Sequence, residues 1–449
     1  MKRFVLLLAA AATLWAQGAE DTKALLDNRT SEAAKAVGIV AGILDSQGRT
    51  VYASGRMAAG NAMPLDGDTI FEIGSITKVF TSLLLADMAG RGEVKLDDPV
   101  AKYLPAGVTV PASGERQISL LDLSMQVSGL PRMPSNFKPT DPNNPFADYT
   151  PSLLYEFLSN HKLARLPGEK YEYSNVGVGL LGHALARRAG LSYEDLLKRR
   201  VLTPLGMTST SIVLSEGQKR RLAPGHLPDL KPTANWDLDS LAGAGALRST
   251  VNDMLKFLAA AMELTDTPLK AAFATLRSQH RPTGVKELEI ALGWHVSTWF
   301  DGEVWWHNGG TGGYRTWAGF DPRTRRAAVV LCNTNFSVDD LGLHFVNAQY
   351  QVAKMAPPRS AVTLPRELLS EYAGTYALAP TFSIAITAEG DRLYAQATGQ
   401  PKFELFGEKK DEVFLRVVEA QISFQRDAEG KVSGLVLHQG GRDTPGKKQ

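Results

Sequence analysis

The spacing of apolar residues changes character twice along this chain. Residues 20–35 read as a lead-in helix, and Gly38 to Leu44 and Arg49 to Ser54 as two short strands around the turn Asp45-Ser46-Gln47-Gly48. From Ser75 the pattern reads as a buried amphipathic helix, with Val79, Leu83, Leu84 and Met88 at helical spacing. Helical spacing returns at 120–125, 152–159, 176–189 and 251–263. Between these pieces, residues 131–151 are rich in Pro, Asn and Asp and read as a long loop, a common form for a functional lid or a disordered segment.

Beyond residue 290 the period shortens towards two. Leu292 to Phe300, Val304 to Trp306, Tyr314 to Phe320 and Arg326 to Leu331 read as antiparallel strands, with a hairpin turn at Asp321-Pro322-Arg323-Thr324. A helix is expected at 341–354, then a linker at Met355-Ala356-Pro357-Pro358-Arg359-Ser360. After it come seven close-set strand patterns, from Gly374–Leu378 to Val432–His438, the mark of a small β-barrel or sandwich. The expected fold is therefore α+β, an α/β sandwich. An antiparallel sheet is flanked by helices, with an all-helical subdomain and a C-terminal β-domain. The expected divisions are 1–19, 20–356 and 357–449.

Composition narrows the function. The 449 residues are 44% hydrophobic and 21% charged, with a formal net charge of +2, so no basic field suited to nucleic acid exists. Met1-Lys2-Arg3, the apolar run Phe4 to Ala16 and the small residues Ala16-Gln17-Gly18-Ala19 read as a secretory signal peptide. The protein is expected to be exported, periplasmic or secreted, with no membrane span. Cys332 is the only cysteine, so an internal disulfide is impossible. It lies in a strand-like apolar run and reads as a core residue. No metal-ligand spacing is present, and no cofactor is expected.

Three short motifs carry chemistry. Ser75-Ile76-Thr77-Lys78 places a hydroxyl and an amine at i and i+3, on one face of a helix. Serine needs a base to become a nucleophile. A lysine in an apolar site can lose its charge and serve as that base. Free N–H groups at the helix start suit an oxyanion. In Tyr173-Ser174-Asn175, a phenol can relay protons, particularly where an ammonium favours phenolate, and an amide can bond a substrate carbonyl. In His307-Asn308-Gly309-Gly310-Thr311-Gly312-Gly313, glycines on a strand let another backbone approach and lend an N–H to an oxyanion.

In that order, the motifs resemble the serine β-lactamase and penicillin-binding superfamily. The class C β-lactamase branch is most similar, together with its esterase and D-aminopeptidase members. The stretches Gly92 to Val100, Leu120-Leu121-Asp122-Leu123, Ser128-Gly129-Leu130-Pro131 and Pro204-Leu205-Gly206-Met207 share the likeness, which covers about residues 30–355. The resemblance implies that Ser75 is the acylated nucleophile, with Lys78 and Tyr173 sharing base and acid work. It implies that Asn175 contacts the substrate amide, that Ser75 and Gly310 form the oxyanion hole beside Gly309, and that Asn333 lies near a substrate carboxylate.

Where class C enzymes carry Lys-Thr-Gly, this chain has His307-Asn308-Gly309. Histidine titrates near 6.5 and attracts a carboxylate less than lysine. Arg132 or Arg315 could restore the charge, against the plainer reading of each as a surface salt bridge. The implied function is hydrolysis of a β-lactam amide through a Ser75 acyl-enzyme. Alternatives are an esterase, a D-amino-acid-specific peptidase acting on cell-wall peptides, and a penicillin-binding module that does not turn over. The expected partner is a small-molecule or peptide substrate. Gly177-Val178-Gly179-Leu180-Leu181-Gly182 matches a dinucleotide fingerprint but lacks the preceding strand, and reads as helix packing.

Overall fold

The computed structural model describes residues 21–31, 36–60, 63–353, 361–379, 382–398, 402–415, 420–439 and 442–449. The signal-peptide segment lies outside these. Residues divide into two compact units, Met1–Ala353 and Lys354–Gln449.

The first unit is built on an eight-stranded antiparallel sheet. Its strands are β1 (Gly38–Asp45), β2 (Gly48–Gly55), β3 (Arg281–Pro282), β4 (Leu288–Ile290), β5 (His295–Ser297), β6 (Val304–Gly310), β7 (Arg315–Asp321) and β8 (Arg326–Cys332). Their spatial order is β2-β1-β8-β7-β6-β5-β4-β3. The N-terminal hairpin thus docks on the last strand, with Ile39 opposite Cys332 and Leu44 opposite Ala327.

Period-two alternation divides each central strand between two cores. Val40, Leu44, Ala327, Val329 and Leu331 face one side. Ile39, Ala41, Ile43, Ala328, Val330 and Cys332 face the other. The helix Val251–Ala261 covers the first face and the helix Asp339–Val346 the second. The second helix packs so closely that a Cβ on Gly342 would stand 2.2 Å from the Trp317 ring. Cys332 is fully buried, and burial pushes its thiol up to about 12, away from nucleophilic use.

The helical subdomain surrounds the helix Thr77–Gly90. Every residue from Thr77 to Met88 is buried: the helix is buried as expected, and enclosed on all faces rather than one. The helix Asn175–Ala189 meets the short helix Ala242–Gly245, where a Cβ on Gly182 would lie 2.9 Å from the Gly243 Cα. The glycine-rich run is helix packing. Among the described residues no helix is long and apolar enough to cross a membrane.

The second unit is a closed eight-stranded barrel from Gly374–Ala379 to Arg442–Lys448. The final strand corrects the count of seven: Lys447 and Lys448 pair with Ala377 and Tyr376 and shut the barrel. The helix Arg366–Tyr372 supplies Leu369 and Tyr372 to its core, where the Tyr372 ring stacks on Phe424 at 4.0 Å.

Candidate active site

Ser75 sits in a 3-10 turn, Gly74–Ile76, which runs directly into the helix Thr77–Gly90. The turn is pressed against β6. A Cβ on Gly309 would stand 2.0 Å from the Ile73 carbonyl oxygen, and one on Gly74 would stand 2.8 Å from the Gly310 nitrogen. Gly74 also has a φ of 52°, a conformation open to glycine. Thr316 Oγ1 of β7 donates to the Ile73 carbonyl at 3.0 Å, fixing the turn to the sheet. Strand β5 pairs with β6 only over Val304–Trp306. Beyond Trp306 that edge of β6 is open, and Asn308 to Gly310 line the adjoining cavity.

Enclosure of the helix buries Lys78 completely. Its Nζ lies 3.0 Å from Ser75 Oγ and donates to the Ala244 carbonyl at 2.7 Å. Among the described residues no carboxylate pairs with it. Burial pushes the amine well below its ordinary pKa, and the Arg132 charge adds to the shift. A neutral amine can accept the Ser75 proton across that 3.0 Å contact.

Tyr173 stands close to Ser75, whose hydroxyl favours its charged form. Lys78 Nζ and Arg132 Cζ each lie 4.9 Å from its ring centre. Burial raises the phenol above its ordinary pKa, outweighing the lowering by Ser75 and Arg132. Phenolate character, which a nearby ammonium would favour, is opposed here by burial.

Asn175 begins the helix Asn175–Ala189, whose N-terminus Ser174 caps by accepting from the Gly177 N–H at 2.8 Å. Its own N–H donates to the Arg132 carbonyl at 3.0 Å, and its side chain lines the cavity.

His307 is buried behind Tyr173, with ring centres 6.2 Å apart, and lies outside the cavity lining. Its Nδ1 donates to the Asn308 carbonyl at 2.6 Å. Burial, then His295 and Lys78, hold its pKa well below the usual imidazole range. The position held by lysine in class C enzymes is thus uncharged here.

Asn333 is a correction. It is fully buried, and its amide donates to the Met57 carbonyl at 2.8 Å. It follows β8, which β7 separates from β6, so it is two strands away from the cavity edge.

The two arginines also depart from the salt-bridge expectation. Both line the cavity, and neither forms an ion pair among the described residues. Arg315 donates to the carbonyls of Thr311 and Tyr314, each at 3.0 Å.

His295 was not anticipated. It lines the cavity, lies 3.1 Å from the Tyr171 hydroxyl through Nε2, and packs on Trp306 and His307. The alternation within Leu292 to Phe300 was its only signal. Also missed were Phe137, Phe146 and Trp236, which close the cavity opposite the sheet edge. The cavity, about 640 Å³, brings together Ser75, Tyr173, Asn175, Gly309 and Gly310, with Lys78 and His307 directly behind.

A family model described as Beta-lactamase matches residues 24–351, and a second, a domain of unknown function (DUF3471), matches residues 358–448. Among curated proteins, the D-alanyl-D-alanine-carboxypeptidase/endopeptidase AmpH of Escherichia coli K12 is 32% identical over 50% of this chain and 57% of its own length. The chain therefore spans little more than half of that relative. Penicillin-binding protein 4* of Bacillus subtilis is 25% identical over 85% of this chain and 88% of its own. A Beta-lactamase of Escherichia coli K12 is 27% identical over 65% and 82%. A solved class C beta-lactamase superposes with a TM-score of 0.64 at 22% identity, covering 75% of this chain and 97% of that one, which establishes the shared fold. With a family match across most of its length, an antiparallel sheet beside a helical subdomain and a class C-like architecture, the chain belongs to the Beta-lactamase family.

Proposed function

We propose that this protein is a serine hydrolase of the β-lactamase type, which opens an amide through an acyl-enzyme on Ser75. The observation that carries the reading is the 3.0 Å contact between Ser75 Oγ and a fully buried Lys78 whose charge is suppressed. Lys78 takes the hydroxyl proton as Oγ attacks the carbonyl. The Ser75 and Gly310 N–H groups receive the oxyanion. Tyr173, beside Ser75, passes a proton to the departing nitrogen and recovers one from water in the second half-reaction. The leading substrate is a β-lactam, whose ring strain lowers the demand on leaving-group protonation.

A second reading is a D-amino-acid-specific peptidase or esterase on cell-wall-type substrates. The uncharged His307 favours it, because a β-lactam carboxylate loses the lysine it would meet in class C enzymes. The similarity to AmpH points the same way. Export through a signal peptide at residues 1–19 belongs to both readings.

The test is a hydrolysis panel of nitrocefin, a short-chain p-nitrophenyl ester and a D-Ala-D-Ala peptide. Fastest turnover of nitrocefin supports the leading reading, and fastest turnover of peptide or ester supports the second. An acyl adduct that persists for hours with no turnover identifies a binding module and overturns both.

A further inference from the structure

The wall of the C-terminal barrel carries a hydroxyl, an imidazole and a carboxylate joined in one line. Alternation along the strand Ala420–Arg426 sends Ile422 and Phe424 into the barrel core and leaves Ser423 on the outer face, half-buried. The strand Val432–Gln439 likewise sends Leu435 and Leu437 inward and His438 outward. Register brings the polar side chains together. Gln421 lies directly opposite His438, Ser423 lies diagonally across from it, and Asp443 of the last strand lies opposite it on the other side.

His438 Nε2 lies 2.9 Å from Ser423 Oγ, and its Nδ1 lies 2.7 Å from Asp443 Oδ1. An ionised carboxylate only accepts, so in the neutral ring Nδ1 carries the proton and Nε2 offers its lone pair to the Ser423 hydroxyl. In that tautomer an imidazole can take a serine proton, and the carboxylate holds the imidazolium that results. Glu412, opposite Ser423 on the neighbouring strand, is engaged elsewhere, with Lys409 at 3.0 Å and the Gln421 amide at 3.0 Å. Asp443 is therefore the carboxylate that sets the ring.

Strands pair with Ser423 on both sides, at Glu412 and at Val436, so its backbone N–H lies in the sheet ladder and is not offered to an oxyanion. A hydroxyl in this setting has a base but little stabilisation for a tetrahedral adduct. Such a group reacts slowly, with good leaving groups only, and its ester hydrolyses slowly.

We propose that Ser423 is a second nucleophilic site, with His438 as its base and Asp443 orienting that base, which accepts an acyl group from an activated aryl ester and keeps it. Ser423 Oγ bonds the acyl carbon while the bond from that carbon to the aryl oxygen breaks. The hydroxyl proton passes to His438 Nε2 and then to the departing phenoxide. The reaction is independent of Ser75 and runs over hours, far beyond the single turnover that rapid mixing follows.

The test uses the full-length Ser75→Ala protein, incubated for hours with p-nitrophenyl acetate and mapped by peptide mass spectrometry. Ser433 serves as internal reference, because it is exposed on the same barrel and its hydroxyl meets the Gln425 carbonyl instead of an imidazole. Acetyl should accumulate on Ser423 at least about tenfold faster than on Ser433, a modest part of what a positioned base supplies. The ratio should fall to near one in His438→Gln and by about threefold or more in Asp443→Ala, both changes of outward-facing side chains. Equal labelling of Ser423 and Ser433 before either change, or a ratio that either change leaves as it was, overturns the proposal.

Discussion

The Arg315 guanidinium occupies the space that a side chain at residue 310 would fill: a Cβ on Gly310 would lie 2.6 Å from Arg315 Nη1. The two residues face each other across β6 and β7. Arg315 can therefore lean over the sheet edge to the cavity only because the strand beneath it carries glycine. A permanent positive charge stands beside the proposed oxyanion site while the neighbouring histidine stays neutral.

The charge of Arg315 should thus govern recognition of anionic substrates. Arg315→Met is expected to lower kcat/KM for a carboxylate-bearing substrate by about 10- to 100-fold, a loss of roughly 1.5–3 kcal/mol for a charge-assisted contact. The matched methyl ester should change far less. Steady-state kinetics on the acid and its ester decide it, and equal losses on both would remove Arg315 from substrate recognition.

Gly310→Ala should move the guanidinium through the same 2.6 Å conflict. The expected result is a loss of acid-over-ester preference resembling that of Arg315→Met. A preference intact in Gly310→Ala would contradict the packing argument.

Lys78 should cost stability while it serves chemistry. Its folded pKa is depressed below the ordinary 10.5, so between the folded and unfolded pKa the unfolded chain binds a proton that the native site releases. Stability attributable to this group therefore rises with pH and levels off near the unfolded pKa of about 10.4. Lys78→Met should abolish hydrolysis yet raise the unfolding free energy at pH 7 by about 1–3 kcal/mol, since it removes a buried amine without a counter-ion. Denaturant titrations from pH 7 to 10 should show that advantage shrinking as pH rises. A destabilised variant, or a constant difference, would contradict a neutral Lys78.

Asp339 offers an independent pH signature. Its carboxyl is half-buried, accepts from Asn308 Nδ2 at 2.7 Å, and is raised to about 6, desolvation being the largest cause. Between pH 4 and 6 the native state holds a proton that the unfolded state has lost, so this group's contribution falls as pH rises through that window. Asp339→Asn should remove the decline and stabilise the protein at pH 8 relative to pH 4, compared with wild type. Urea unfolding at the two pH values checks the sign, and an identical pH dependence in both proteins would contradict it.

Much of the site could be read locally. Ser75 and Lys78 are neighbours by helical spacing alone, and Ser174 announces the helix that presents Asn175. The glycines of β6 signal a close approach, which the structure places at Ile73. What escaped depends on long-range order. Asn333 was misplaced because only the strand order reveals that β7 stands between it and β6. The pKa shifts of Lys78, Tyr173 and His307 follow from burial in the folded chain, which no local pattern states. Phe137 and Phe146 lie in a loop without periodicity, so nothing marked them as cavity wall. The last barrel strand, Arg442–Lys448, contains Pro445 and Gly446 among charged residues and is recognisable only because the barrel needs closing.

The central claim is tested most directly by rapid-quench intact-mass spectrometry of the protein mixed with benzylpenicillin or a p-nitrophenyl ester, followed by peptide mapping. A single acyl adduct is expected on the peptide containing Ser75, absent in Ser75→Ala and formed at least about 1,000-fold more slowly in Lys78→Met. An adduct on another residue, or turnover surviving in Ser75→Ala, would contradict it.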